Sequence, residues 1–511
     1  MKMQHIDNGI KRILFLLLFL LSFYWFFWSV RYTFSDVLPR ISHTFFLSLL
    51  VLGIVSGITF YKSLKPLAIK SCKLLYTYRY FVIGILFIGQ FVISLFAQAL
   101  AKGDAAVLYT VATNIPVNRE DILKYFSLNP NNFFILVVFK IINSIVSSKN
   151  LILAVSLLNA AAIDAGILLL TSLAKHLRGE KLSQIIFIEA LFLIGLQPQF
   201  LYFYTDPFTF FLTSLLCYLA IIKSSSKKIY PWFFIGIIFS IASQIRVPVF
   251  IYLFAFIFAI VYQFIFSSKQ VALKPVFVKG LLLTLGIASV TFGVQYYARH
   301  QNFTEYDKKY SRSLMYFVDL GLTDTGANHS ALPPQILSPG YNGKFKTKTE
   351  LAPEIKKDVQ TRISEYGAFG MLKHQSTKFK LFVEDGSLGW TIESVLDENN
   401  IVNTQFTDSI LGHKIRNVVY TSGQYYPEYA LYMQIIWSIV VFGLVSYFRK
   451  YKKILSYELV LQLTLLGGIL FLSIFEAGRS RYLIQFLPVI IILSSIGFLN
   501  YFKDRQNSKQ Q

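Results

Sequence analysis

Apolar residues in this chain come in blocks long enough to cross a bilayer, and no other feature limits the fold as strongly. LFLLLFLLSFYWFFWSV (14–30), FLSLLVLGIVSGITFY (46–61) and FVIGILFIGQFVISLFAQALA (81–101) are three of them. A helix rises about 1.5 Å per residue, so about 20 mostly apolar residues cover about 30 Å of hydrocarbon. The composition agrees: 54% of the 511 residues are hydrophobic and only 15% are charged, against about 25% charged in soluble domains. The sequence reads as an all-α polytopic membrane protein.

A net charge of +22 would suggest nucleic acid if its distribution were ignored. The excess sits in short loops between apolar blocks: YKSLKPLAIKSCKLLYTYR (61–79), AKHLRGEK (174–181), KSSSKK (223–228), RKYKK (449–453) and KDRQNSK (503–509). Basic residues in short loops mark the cytoplasmic side, so no nucleic-acid partner is expected. Cys72 and Cys217 fall in one such loop and in a span, which argues against a disulfide framework or a cysteine metal site. The first block follows a basic start but lacks a small-residue cleavage site, so it reads as an uncleaved helix.

With both termini cytoplasmic, spans are expected near 13–30, 42–60, 80–101, 151–173, 184–203, 207–223, 231–248, 249–267, 278–298, 430–447, 455–474 and 482–501, twelve in all. Block 133–147 is short, carries Lys140 and follows NPNN; an interfacial or re-entrant helix at the outer surface suits it better than a span. The chain then divides into two N-terminal spans with a cytoplasmic loop (1–79), a transmembrane core (80–298) with a first extracytoplasmic loop (102–150), an extracytoplasmic loop domain (299–429), and C-terminal spans with a tail (430–511). The 299–429 segment balances 15 basic against 15 acidic residues and is too long for a simple connector. Its 352–382 part has a helical pattern, and LPPQILSPGYNG (332–343) has the residues of turns.

In this map Asp104, Asp206, Arg246, Glu476, Arg479 and Arg481 all fall at the outer ends of spans or just beyond. Ionisable groups are costly near hydrocarbon, so those retained there usually serve a site. Guanidinium forks bind phosphate bidentately, and a carboxylate beside them can take a proton from a hydroxyl nucleophile. Each residue also has a plainer reading. Asp104 and Asp206 (followed by Pro207) suit helix N-termini, Arg246 suits a snorkelling side chain, and Arg479 with Arg481 suits an interfacial anchor. Their joint placement carries the argument.

The order of motifs GDAAVLYTVA, YFSLNPNNFFILVVF, QPQFLYFYTDPFTFF, ASQIRVPVFIY and FEAGRSRYLIQFLPVI resembles bacterial GT-C-fold membrane glycosyltransferases. These use polyprenyl-phosphate sugars and are related to protein O-mannosyltransferases. TRISEYGAFGMLKHQ and KFKLFVEDGSLGW in the long loop resemble a Gram-positive branch. The resemblance covers about 79–500 and leaves the first two spans as an N-terminal addition. It implies Asp104 as the base that activates the acceptor and Asp206 as a second acidic residue of the catalytic centre. It sets Arg246, Arg479 and Arg481, beside Tyr482, against the donor phosphate, and Glu476 and Tyr482 are expected to bind substrate. Asn131 and Asn132 fall in a loop packed under the site, and Asp385 and Trp390 are candidate substrate contacts from the long loop.

The sequence departs from the O-mannosyltransferase pattern where Ala105 follows Asp104 in place of a glutamate, which weighs against protein hydroxyls as acceptors. Asp206 is followed by proline, not by a second acid, and His300, His329, His374 and His413 lack ligand spacing. No cofactor is therefore expected, a divalent metal has no support, and the histidines read as exposed. The expected activity is inverting transfer of a sugar from a polyprenyl-phosphate donor to a hydroxyl of a cell-surface glycan or glycopolymer, on the outer face of the cell membrane. A transporter or flippase of lipid-linked sugars and a polysaccharide polymerase or ligase are the competing readings.

Overall fold

Inside hydrocarbon every backbone N–H and C=O must find its partner within the protein, which leaves an apolar segment the helix as its solution. The computed structural model describes residues 2–224, 228–266, 273–326, 328–338, 343–451 and 454–507. Among these residues helix follows helix with no strand, and the single β-type contact is an isolated antiparallel bridge between Ala99 and Ile401. Nine helices among the described residues are long and apolar enough to cross a membrane. They coincide with nine of the twelve expected spans.

The other three differ, each for a local reason. The helix Thr44–Thr59 meets Tyr61–Thr77 at a 99° bend, and the bent pair together would make a tenth crossing. The basic stretch read as a loop is thus largely helical: charge settles the side of the membrane, not the backbone conformation. The helix Pro231–Ile245 has 15 residues, about 22 Å at the usual rise. Expected span 184–203 is interrupted: Glu180–Ala190 passes into a π turn at Leu191–Gly195 and a 3-10 turn at Pro198–Leu201. The helix Phe133–Val146, 14 residues long, packs against Asp104–Ala112 and Leu151–Arg178.

Small residues set the closest crossings, as they do where helices associate without a hydrophobic driving force. A Cβ on Gly236 would lie 2.2 Å from the Leu283 carbonyl oxygen, and one on Gly286 2.1 Å from that of Phe233. A Cβ on Gly497 would lie 2.0 Å from the Gly443 carbonyl oxygen. The first helix is part of the bundle: Trp25 packs on Trp437 at 5.6 Å between ring centroids, and Ser29 and Ser438 hydroxyls are 2.9 Å apart.

The 299–429 segment has its own small core, in which Tyr316, Leu320, Leu332, Ile336, Ile355 and Val359 pack together. Its long helix, Lys348–Val383, opens with a Thr347/Glu350 capping box and kinks at Gly367, whose φ of 56° is accessible to glycine. Backbone hydrogen bonds dock this segment on the span ends: Leu100 N to Asn400 O (2.8 Å), Val402 N to Gln98 O (3.0 Å) and Gly478 N to Thr325 O (3.1 Å). That docking roofs one end of the bundle, where the ionisable residues gather.

Candidate active site

The interruption after Gly195 shapes the site. Freed from the helix, residues 202–205 run without regular structure into the helix Asp206–Ser224, and Asn159 Nδ2 holds the Tyr202 carbonyl at 2.5 Å. Asp206 is wholly buried there. Its carboxylate accepts from Arg246 Nη2 at 2.7 Å, from Arg481 Nη2 at 2.9 Å and from the Tyr202 hydroxyl at 2.9 Å. Arg246 stands at the break between Pro231–Ile245 and the Val247–Val249 turn, and Arg481 in the 3-10 turn Ser480–Phe486. Three distant stretches of sequence are thereby tied by one carboxylate. Two guanidinium groups share this one carboxylate, and burial keeps the pairing strong.

Asp104 opens the helix Asp104–Ala112 after Gly103, whose φ is 77°. No side-chain cap is made there; the carboxylate accepts instead from the Tyr204 hydroxyl at 2.9 Å and is otherwise exposed. Tyr204 also lies under both arginines, 5.5 Å from the Arg246 and 4.7 Å from the Arg481 guanidinium carbon, measured to its ring centroid. One aromatic ring thus touches both Asp104 and the cationic pair.

These groups face two adjoining cavities. The larger, about 840 Å³, is lined by Asp104, Arg246, Glu476, Arg479, Arg481 and Tyr482, with Val107, Val247, Leu314, Phe317, Phe471 and Phe475 as an apolar wall. Asn131 and Asn132 line it too, and Asn132 Nδ2 donates to the Tyr125 hydroxyl at 2.6 Å. The smaller, about 420 Å³, shares Asp104, Tyr204, Arg479, Arg481 and Tyr482, and is otherwise bounded by Lys102, Glu393, Ser394, Asp397, Asn399 and Asn400. Asp104 thus stands where an amphipathic chamber meets a polar one.

The sequence reading missed Glu393. Its carboxylate bridges the two C-terminal arginines, with Arg479 Nη1 at 3.2 Å from Oε1 and Arg481 Nη1 at 2.5 Å from Oε2. No hydropathy contrast marks an acid within a polar loop, so no sequence signal singled it out. Asp385 does not line either of these cavities. It accepts from Ser387 N (2.8 Å), Ser387 Oγ (2.7 Å), Gly389 N (3.0 Å) and Ser480 Oγ (3.3 Å). Burial pushes its carboxyl up, and these bonds oppose the shift. The side chain of Trp390 lies outside the described residues.

His329 lines the larger cavity instead of standing exposed, and burial, then Arg312 and Arg479, holds its imidazole down at about 4. His374 is buried, with Nε2 2.9 Å from the Gly321 carbonyl. His300 and His413 are exposed. No group of three or more His, Cys, Asp or Glu suited to a metal ion occurs among the described residues. Chemically, the arrangement offers fixed cations for an anion of the phosphate class and, in Asp104, an exposed carboxylate beside them.

Residues 3–500 match a family model described as "Conserved hypothetical integral membrane protein". No curated protein matches the chain. Among solved structures it is similar to ArnT from Cupriavidus metallidurans in the apo state, with 11% identity, 84% of this chain and 78% of that chain covered, and a TM-score of 0.30. The same protein bound to undecaprenyl phosphate gives 11% identity, 83% and 78% coverage, and a TM-score of 0.32. Overlaps of that size carry no argument, and the functional reading rests on the site itself.

Proposed function

The chain belongs to the family of conserved hypothetical integral membrane proteins, and within it we propose that this one is a GT-C-type glycosyltransferase moving a sugar from a polyprenyl-phosphate donor to a hydroxyl acceptor. The observation that carries the reading is the convergence of Asp104 with Arg246, Arg479 and Arg481 on one cavity that also has an apolar wall. A donor of this class needs all three features: a seat for phosphate, a surface for an isoprenoid, and a base for the incoming hydroxyl.

In this mechanism the phosphate lies against the arginines and the first isoprene units against Phe471 and Phe475. Asp104 takes the acceptor proton as the acceptor oxygen bonds to the anomeric carbon and the bond from that carbon to the phosphate oxygen breaks, with inversion. Charge developing on the departing phosphate falls among guanidinium groups of which Asp206 already fixes two, Arg246 and Arg481, so little reorganisation is needed. Asp206, fully engaged by its three donors, acts as a positioning residue. The acceptor, a glycan or glycopolymer of the cell envelope, approaches through the polar chamber beside Asp397 and Asn399, and the sugar crosses from one chamber to the other at Asp104. In this reading both termini are cytoplasmic and the site faces outward.

The test compares envelope glycans from strains making the wild-type chain or Asp104→Asn at matched membrane abundance. Loss of one sugar substituent in the mutant supports the reading and identifies the sugar. Unchanged glycans in the mutant, with loss in a deletion strain, would favour a carrier of lipid-linked sugars.

A further inference from the structure

Glu393 occupies a position that the proposed reaction needs for something else. Its two carboxylate oxygens take one N–H donor each from Arg479 and Arg481, the arrangement in which a pair of guanidinium groups would hold two oxygens of a phosphate. Asp206 and Tyr202 already engage Nε and Nη2 of Arg481, so Glu393 holds the Nη1 edge, which faces away from them. The residue is itself only 11% exposed at its side chain, and a phosphate that takes the same two Nη1 donors has to displace it.

Glu393 sits in a short turn bounded on both sides by left-handed backbone. Leu388, Gly389 and Ser394, on either side, have φ of 53°, 84° and 46°, a region that L side chains rarely adopt. Between them a single turn, closed by Glu393 N to Gly389 O at 2.9 Å, rests directly on Arg481: a Cβ on Gly389 would lie 2.9 Å from the Arg481 Cβ. The base of the turn is fixed by Asp385, whose carboxylate also accepts from Ser480, the neighbour of Arg481.

Resting on the donor class proposed above, we infer that Glu393 is a built-in competitor for the phosphate seat, displaced when a polyprenyl phosphate binds. The turn 389–393 moves with it, opening the boundary between the two chambers. Donor binding and access of the acceptor to Asp104 are thereby coupled, since Glu393 also bounds the polar chamber. The cost of displacing a charge-paired carboxylate lowers donor affinity in the native chain, and removing the charge should raise it.

The experiment measures binding of a polyprenyl monophosphate to the purified full-length chain in detergent, for wild type, Glu393→Asp and Glu393→Gln. Melting curves of each protein without the lipid establish that it is folded. The expected order of affinity is wild type weakest, Asp intermediate because a shorter side chain cannot span both arginines, and Gln at least ~10-fold tighter than wild type. A merely structural role for Glu393 would lower affinity in both variants. Equal or weaker binding by a folded Glu393→Gln, while wild type binds the lipid, overturns this inference and leaves the donor class standing. Failure of every form to bind overturns the inference together with the donor class. Binding by Glu393→Gln alone supports both.

Discussion

Replacing Asp206 by asparagine keeps volume and shape and removes one charge from the centre of the site. Two guanidinium groups then face each other across a neutral amide in a place where the carboxylate was 0% exposed and the arginine side chains are 15% and 13% exposed. Removing one partner of a buried ion pair costs about 3–5 kcal/mol, because the remaining charge is left without compensation. Here two charges are left, with Glu393 as the nearest remaining acid on Arg481, so the upper part of that range is expected. A cycle with Arg246→Gln separates charge from packing: with both changes one guanidinium remains, and the double mutant should lose less than the sum of the singles by about 2 kcal/mol. The assay is unfolding of the purified protein in mixed micelles, followed by tryptophan fluorescence, for wild type, both singles and the double. A loss below about 1 kcal/mol for Asp206→Asn, or simple additivity, would refute the view that this carboxylate holds the arginines in place.

Three further outcomes follow from particular contacts. Arg479 is 38% exposed and pairs with Glu393, so Arg479→Gln should fold normally yet bind a polyprenyl monophosphate about 10- to 100-fold more weakly, the worth of one charge-assisted bond, as read by titration. Gly236→Ala should destabilise by about 1–3 kcal/mol or more in the same unfolding assay, because its Cβ would meet a backbone oxygen that cannot turn aside. His329, held down at about 4 against its ordinary value of 6.5, stays neutral in the fold while the unfolded chain gains a proton below pH 6.5. Its contribution to stability is therefore complete above pH 6.5 and is lost as pH falls toward 4. Melting curves over that window should flatten in His329→Asn, and an unchanged slope would count against the burial that causes the shift.

The sequence made much of this site legible because ionisable residues at the ends of apolar blocks are conspicuous. Asp104, Arg246, Glu476, Arg479 and Arg481 were singled out that way, Tyr482 came from the family resemblance, and the fold brings all six to one cavity. Asp206 was singled out by the same rule, but its three donors come from Tyr202, Arg246 and Arg481, and long-range pairing of that kind leaves no trace in a local pattern. The break in expected span 184–203 has a local signal, Gly195 and Pro198, in a run whose remaining residues are apolar enough to read as continuous helix. Glu393 pairs across more than 80 positions with Arg479 and Arg481, and inside a long polar loop an acid stands out by neither hydropathy nor charge. The helical course of 61–77 was hidden for the opposite reason, since its lysines report membrane side and not conformation.

In the proposed reaction the arginines and Asp104 together transfer a sugar off a lipid phosphate. Its most direct test supplies the purified chain with polyprenyl-phosphate sugar labelled in the sugar, adds envelope material from a deletion strain as acceptor, and follows both label and released polyprenyl phosphate. Label should enter the acceptor as polyprenyl phosphate appears in equal amount, about 10²–10⁴-fold more slowly with Asp104→Asn. Label that stays on its lipid with the wild-type chain, or equal rates with and without the Asp104 carboxylate, would contradict it.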